Sequence, residues 1–240
     1  MTGVIFFNPV FGRANIPALV KIGLSLGIAL NVTYGLTDIY VADYTTIDLL
    51  VSMVREFAVG FAMGFIMQLF LGVFHIGGEL MDLQVGFSMA QMYDPSTNSQ
   101  VSVTGNFLTI MYVLLFFITN SHLNLMAIAA KSYSVVPVGL GGVSGKIGVY
   151  MIELFGYILV YALQLTLPII VTEILVEVAV GILMRVVPNI NVFIVNLQLK
   201  IIVGLLVLLT IIPMLVRFLG KLNMIMLDRM ETVLTYFIWQ

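Results

Sequence analysis

Ile147 to Met184 is one apolar stretch, about twice the length of a membrane span, with Pro168 near its middle. A span needs roughly 20 mostly apolar residues. The stretch is therefore expected to be a long helix kinked at the proline or a hairpin that turns there, because proline removes a helical hydrogen bond. The rest of the chain is of the same kind. Of its 240 residues, 61% are hydrophobic and 9% charged. Soluble domains carry about 45–50% apolar and about 25% charged residues, and so few charges cannot cover the surface of a soluble domain this long. The chain must be solvated by lipid, detergent or other hydrophobic subunits. No hydrophilic linker divides it, so 1–240 reads as a single domain, all-α and multi-spanning. A net charge of −2 gives no electrostatic basis for binding nucleic acid. The absence of cysteine excludes disulfides, thiolate metal sites and cysteine nucleophiles. No basic n-region or small-residue cleavage motif marks a signal peptide.

About six or seven helical segments are expected. The first clear one runs from about Ile16 to Gly35, and a polar stretch with three aspartates follows, Thr37 to Asp48. The next, Leu49 to Gly77, is long for one span and continues as Gly77-Gly78-Glu79-Leu80-Met81-Asp82-Leu83-Gln84. Gly86 to Asn106 is the most loop-like segment, with Asp94-Pro95-Ser96-Thr97-Asn98-Ser99-Gln100 at its centre. Phe107–Thr119 and Leu123–Val136 are each too short to span alone. Split at Asn120-Ser121-His122, they form a helical hairpin or a broken helix. Pro137 to Gly148 is a Gly-rich turn. Asn189 to Arg217 and Leu222 to Trp239 are the last two segments. The Arg217–Arg229 cluster favours a cytoplasmic C-terminal region.

Ionisable residues inside apolar stretches are functional candidates, because desolvating a charge is costly. Glu173 and Glu177 lie one turn apart on one helix face, with Arg185 two turns further on roughly the same face. They line a proton or ion path, or they pair with a basic residue of a neighbouring subunit, or they face a wet cavity. Arg55-Glu56 and the Glu79…Asp82 pair raise the same question. His75 at i−4 to Glu79 adds a hydrogen-bonding partner. With two carboxylates it would make at best a minimal metal or acid–base set, and no nucleophile accompanies it. His122 stands in the helix break and reads as a hydrogen-bonded structural residue. No HExxH, GxSxG, Walker A or GxGxxG pattern occurs, so neither enzyme, cofactor nor resident metal is expected. Met63, Met67, Met81, Met89 and Met92 are either ordinary packing or a deformable gasket. Gly23…Gly27 and Gly60…Gly64 allow close helix approach, within the chain or with partners.

Several stretches, in order, resemble the FliR/SctT family of type III export apparatus proteins: Asn8-Pro9-Val10-Phe11, Ile16-Pro17, Glu56 with Gly60-Phe61-Ala62-Met63-Gly64-Phe65, Gly77-Gly78-Glu79, Gly86-Phe87-Ser88, Asp94-Pro95, Asn120-Ser121-His122, Pro137-Val138-Gly139, Leu167-Pro168, and Arg185-Val186-Val187-Pro188-Asn189 with Lys200 and Pro213. Their order and spacing cover most of the chain, and the flagellar branch fits better than the injectisome branch. The resemblance implies helical hairpins of the export-gate type, with a FliP-like part at about 1–184 and a FliQ-like C-terminal hairpin at about 189–240. It implies one copy in a hetero-oligomer with FliP and FliQ, FlhB at the cytoplasmic side, and unfolded substrates leaving through the pore. The place implied is the bacterial inner membrane, within the flagellar basal body. It also implies a loop that plugs the closed pore, carried here by Gly86, Phe87, Ser88, Met89, Met92, Tyr93, Asp94 and Pro95. Family members carry a further hydrophobic helix ahead of the position matching Met1. An independent secondary transporter of small solutes is the alternative reading.

Overall fold

The computed structural model describes residues 1–35, 45–90, 92–94, 99–136, 142, 144–186 and 192–237. Among the described residues the chain is mostly helical, with one short ribbon. The helices are α1 (Thr2–Phe6), α2 (Ala18–Gly35), α3 (Thr46–Val85), α4 (Val103–Ile118), α5 (Ser121–Val135), α6 (Lys146–Val186) and α7 (Val192–Thr235). Between α3 and α4 lie a 3-10 turn, Phe87–Ala90, and an antiparallel pair, β1 (Met92–Asp94) and β2 (Ser99–Val101). Three of the described helices, α3, α6 and α7, are long and apolar enough to cross a membrane, and α4 with α5 makes a fourth if counted as one broken span.

Local chemistry sets several of these ends. Thr45 caps α3, its hydroxyl on Asp48 Oδ2 while the Asp48 N–H points back to Thr45 Oγ1 at 3.4 Å. This reciprocal arrangement satisfies donors that every helix start leaves open. Asn8 folds the chain after α1: its Oδ1 accepts from the N–H groups of Val10 and Phe11 at 2.8 and 3.0 Å. Asn120 separates α4 from α5 with φ of 55°, a left-handed conformation that asparagine tolerates better than most residues. The expected helix break is therefore present.

Two expectations about the long segments need correction. The hairpin alternative at Pro168 fails, because α6 runs through it unbroken. Likewise the segments read as Asn189–Arg217 and Leu222–Trp239 are one helix, which passes through Pro213. A hairpin drawn inside 189–240 has no turn among the described residues. In both helices the apolar pattern on either side of the proline is long enough to carry the helix across one missing hydrogen bond. The polar stretch Thr37–Asp48 falls mostly outside the described residues, and the Gly-rich turn Pro137–Gly148 half outside them.

The chain forms two compact units, connected by helices that continue from one into the other. The first comprises 1–71, 116–156 and 222–240, the second 72–115 and 157–221. In the first, α1 lies against α3 where Gly3 and Gly60 meet backbone to backbone. Met63, Ile66, Met67, Leu125, Leu154 and Met226 are buried there. In the second, Phe74 packs on Tyr112 at 4.9 Å between ring centres, and Met81, Leu108, Ile158 and Ile169 are buried. Met63, Met67 and Met81 have no exposed surface, so they serve as packing in this chain and not as a gasket. Much of α6 and α7 stays apolar and uncovered: only 17% and 11% of their most apolar windows are buried within the chain. So much bare apolar surface is what lipid or neighbouring hydrophobic subunits would cover.

Candidate functional site

Among the described residues of the second unit, the loop-like segment between α3 and α4 is the irregular excursion, and both its ends are fixed by hydrogen bonds. On the outgoing side α3 stops at Val85. Gly86 follows with φ of +91°, and its N–H donates to the Asp82 carbonyl at 2.9 Å. That left-handed residue is the usual way to end a helix, and a side chain would strain it. A Cβ on Gly86 would also lie 3.2 Å from Leu197 Cδ1 of α7. On the returning side Ser102 caps α4, its Oγ accepting from the Gly105 N–H at 2.8 Å.

Asp82 joins the two sides. It belongs to the last turn of α3 and is fully buried. Ser102 Oγ donates to its Oδ2 at 2.6 Å, and the Thr104 hydroxyl donates to its Oδ1. The Thr104 N–H lies 3.2 and 3.4 Å from the two oxygens. A carboxylate at the start of α4 also meets the positive end of that helix. Gly78, one turn earlier on α3, sits directly on Gly105: a Cβ there would be 2.2 Å from Gly105 Cα and N. Gly77 meanwhile faces α6, with Leu165 Cδ2 3.0 Å from where a Cβ would be. The Gly77-Gly78 pair thus lets α3 take α4 on one side and α6 on the other.

Of the loop residues singled out from the sequence, Gly86, Phe87 and Ser88 are half-buried at the root. Met89 is in the 3-10 turn, and Met92, Tyr93 and Asp94 form β1, with Met92 opposite Val101, Tyr93 opposite Gln100 and Asp94 opposite Ser99. Pro95 lies outside the described residues. The expected loop is thus a short hairpin.

The charged candidates separate. Glu79 and His75 are exposed on α3 while Asp82 is buried, so the carboxylates expected to share a face do different things. Among the described residues no group of three or more His, Asp or Glu side chains gathers to hold a metal. Glu56 is half-buried in the first unit and accepts a hydrogen bond from Tyr133; Arg55 beside it is half-buried too. His122 packs against the Phe117 ring at 5.1 Å. Its buried Nδ1 has no hydrogen bond among the described residues. Arg185 is exposed in the last turn of α6, where a cation suits the helix end.

Glu173 and Glu177 are not equivalent either. Glu177 is half-exposed and paired with Lys200 of α7. Glu173 has no exposed surface, and neither of its oxygens has a hydrogen-bond partner among the described residues. Its Oε1 lies over Gly204 of α7, together with both Val85 methyl groups: a Cβ on Gly204 would be 3.0 Å from the first and 2.6 and 2.7 Å from the others. Burying such a carboxyl without a donor costs stability. Glu173→Leu should therefore raise the stability of the purified chain, by about 1–3 kcal/mol, read as a higher thermal midpoint. A lower midpoint would mean that the carboxyl carries a bond that leucine cannot make.

Sequence reading did not pick out Ser102, Thr104, Gly105 or Gly204. A serine immediately before an apolar run is a capping signal that points to Ser102. Gly204 had no such signal, since an isolated glycine in an apolar helix looks the same whether packed or exposed.

An all-α protein with three described helices long and apolar enough to cross a membrane, two of them largely uncovered within the chain, has the make-up of a membrane protein. The chain belongs to the bacterial export proteins, family 1, which it matches over residues 1–225. It is 29% identical over 231 residues to a flagellar biosynthetic protein FliR of Pectobacterium carotovorum, covering 95% of this chain and 87% of that one. A Bacillus subtilis FliR is 29% identical over 83% of this chain and 78% of its own length, and an Escherichia coli FliR 26% identical over 88% and 80%. The resemblance read from the ordered motifs is thereby borne out.

Proposed function

We propose that this chain is a non-catalytic pore subunit of the flagellar type III protein export gate. In this reading it assembles with FliP and FliQ in the bacterial inner membrane, within the flagellar basal body. FlhB meets it at the cytoplasmic side, and unfolded substrates pass through the assembly. The FliP-like part covers about 1–184, and the region from about 189 supplies the FliQ-like part, in which α7 is one continuous arm. The loop carrying Gly86, Phe87, Ser88, Met89, Met92, Tyr93, Asp94 and Pro95 is the plug of the closed pore. The observation that carries the reading is this hairpin on its fixed root, in a chain of the export family whose α6 and α7 leave most of their apolar surface uncovered.

Glu173 and Glu177 do not favour an independent small-solute transporter, since one is enclosed and the other is ion-paired. Native mass spectrometry of the chain co-expressed with FliP and FliQ should give a stable complex holding one copy of it. Deleting Ala90–Pro95 should leave that complex intact and let small ions through when it is reconstituted in a bilayer. A complex that assembles without these residues and stays tight would rule out the plug role.

A further inference from the structure

We infer that Glu173 is a proton-binding site, its carboxyl keeping a proton in the folded chain for as long as Lys200 stays with Glu177; this property goes beyond the pore reading and does not rest on it. Where α6 meets α7 the seam holds two carboxyls and one ammonium. Glu177 faces Lys200, and one turn away along both helices Glu173 faces Gly204. The ammonium is already taken, since Lys200 Nζ donates to Glu177 Oε1. Glu173 has no exposed surface, and no donor among the described residues reaches either of its oxygens. The charged groups that act on it are Lys200 from α7 and Glu177 from its own helix, while α3 presents the two methyl groups of Val85 there.

One cation cannot neutralise two carboxylates. With both ionised, the seam would carry an uncompensated negative charge in an enclosure of helix backbone and apolar side chains. That is far costlier than a neutral acid in the same place. Glu177 has its ion-pair partner and is half-exposed, whereas Glu173 has neither relief, so the proton belongs to Glu173. Gly204 permits the placement, because a Cβ there would lie 3.0 Å from Glu173 Oε1 and closer still to Val85. The same layout fixes what happens when the proton leaves. About 5.4 Å of helix rise separates Glu173 from Glu177, and the flexible lysine stem can carry its ammonium across one turn. The seam is therefore a two-place seat: the ammonium on Glu177 goes with a proton on Glu173, and an ammonium moved to Glu173 goes with release of that proton.

The test is infrared spectroscopy of the full chain purified in detergent at about pH 7, where an ordinary carboxyl is ionised. A protonated carboxyl has a C=O stretch that a carboxylate lacks, and Glu173→Gln removes it while keeping a neutral side chain of the same shape. The wild-type spectrum minus that of Glu173→Gln should show one carboxylic-acid band per chain, which shifts in heavy water. Glu177→Gln should lose most of the same band although Glu173 is unchanged, because the freed ammonium moves to Glu173 and displaces its proton. No band lost in Glu173→Gln would overturn the proton site. A band at full strength in Glu177→Gln would overturn its link to Lys200. Failure of Glu173→Gln to fold beside a folded wild type would overturn the proposal as well, since a seat that holds the neutral acid accepts the amide, and only a seat that needs the charge rejects it.

Discussion

Replacing Gly78 with alanine is expected to abolish the folded second unit. The added methyl would sit 2.2 Å from the Cα and N of Gly105 and 3.1 Å from Ser102 Oγ. The first two are backbone atoms of α4 and have no rotamer by which to withdraw. The helices would have to separate by more than an ångström, which would pull Thr104 and Ser102 away from Asp82 as well. Overpacking alone costs about 1–3 kcal/mol, and removing partners from a buried carboxylate adds to it. Against a total stability of about 5–15 kcal/mol, a loss of roughly 4 kcal/mol or more leaves little native protein at growth temperature. Yield of monodisperse protein in detergent, alone and with FliP and FliQ, is the measurement. Gly23→Ala and Gly27→Ala are the matched controls, because a Cβ at either meets nothing within 4 Å. Alanine is the better helix former by about 1 kcal/mol, so these two changes should leave the yield unchanged or improve it.

The second large effect is expected where α1 docks in the first unit. A Cβ on Gly60 would come within 2.9 Å of Val4 N and 3.0 Å of Gly3 Cα, and one on Gly64 within 2.8 Å of Phe7 Cβ and 3.0 Å of its carbonyl carbon. Phe7 is in turn held edge-on by Phe57 and Phe61, at 5.6 and 4.7 Å between ring centres. Two glycines one turn apart thus cut the groove in which α1 lies. Gly60→Val fills it. The five-residue helix has no stability of its own without that seat. Loss of about 2–4 kcal/mol of docking energy should free residues 1–12 while α3 stays helical. Hydrogen exchange by mass spectrometry should show protection lost from Thr2 to Gly12 and retained over Thr46–Val85. Protection retained at both places would mean that α1 does not depend on the Gly60 seat.

The two glycine pairs also show how far sequence could go. Gly23…Gly27 and Gly60…Gly64 have identical spacing, and nothing in the sequence separates them. Only the structure assigns Gly60 and Gly64 to a contact inside the chain and leaves Gly23 and Gly27 open. The same holds for the carboxylates. Helical periodicity put Glu79 with Asp82 and Glu173 with Glu177, because angular position on one helix is all that periodicity reports. Which member of each pair turns inward depends on the neighbouring helix: α4 offers Asp82 hydroxyls and an N–H, and α7 offers Glu177 the ammonium of Lys200 while Glu173 Oε1 lies over Gly204.

What the sequence determined by itself is the solvent and the class. Apolar runs with so few charges force helices that satisfy their own backbone and meet lipid or other subunits. The order of short motifs from Asn8 to Pro213 was enough to place the chain in its family. The sequence also marked the hairpin, by its polar turn cluster, and the break at Asn120. Tertiary structure alone decided that Pro168 and Pro213 sit inside unbroken helices, that the loop is a two-stranded ribbon, and that Asp82 ties both its ends. The reason is physical: composition and periodicity are summed along the chain. A buried carboxylate and its donors, 20 and 22 residues away, are chosen by which backbones lie close enough to touch.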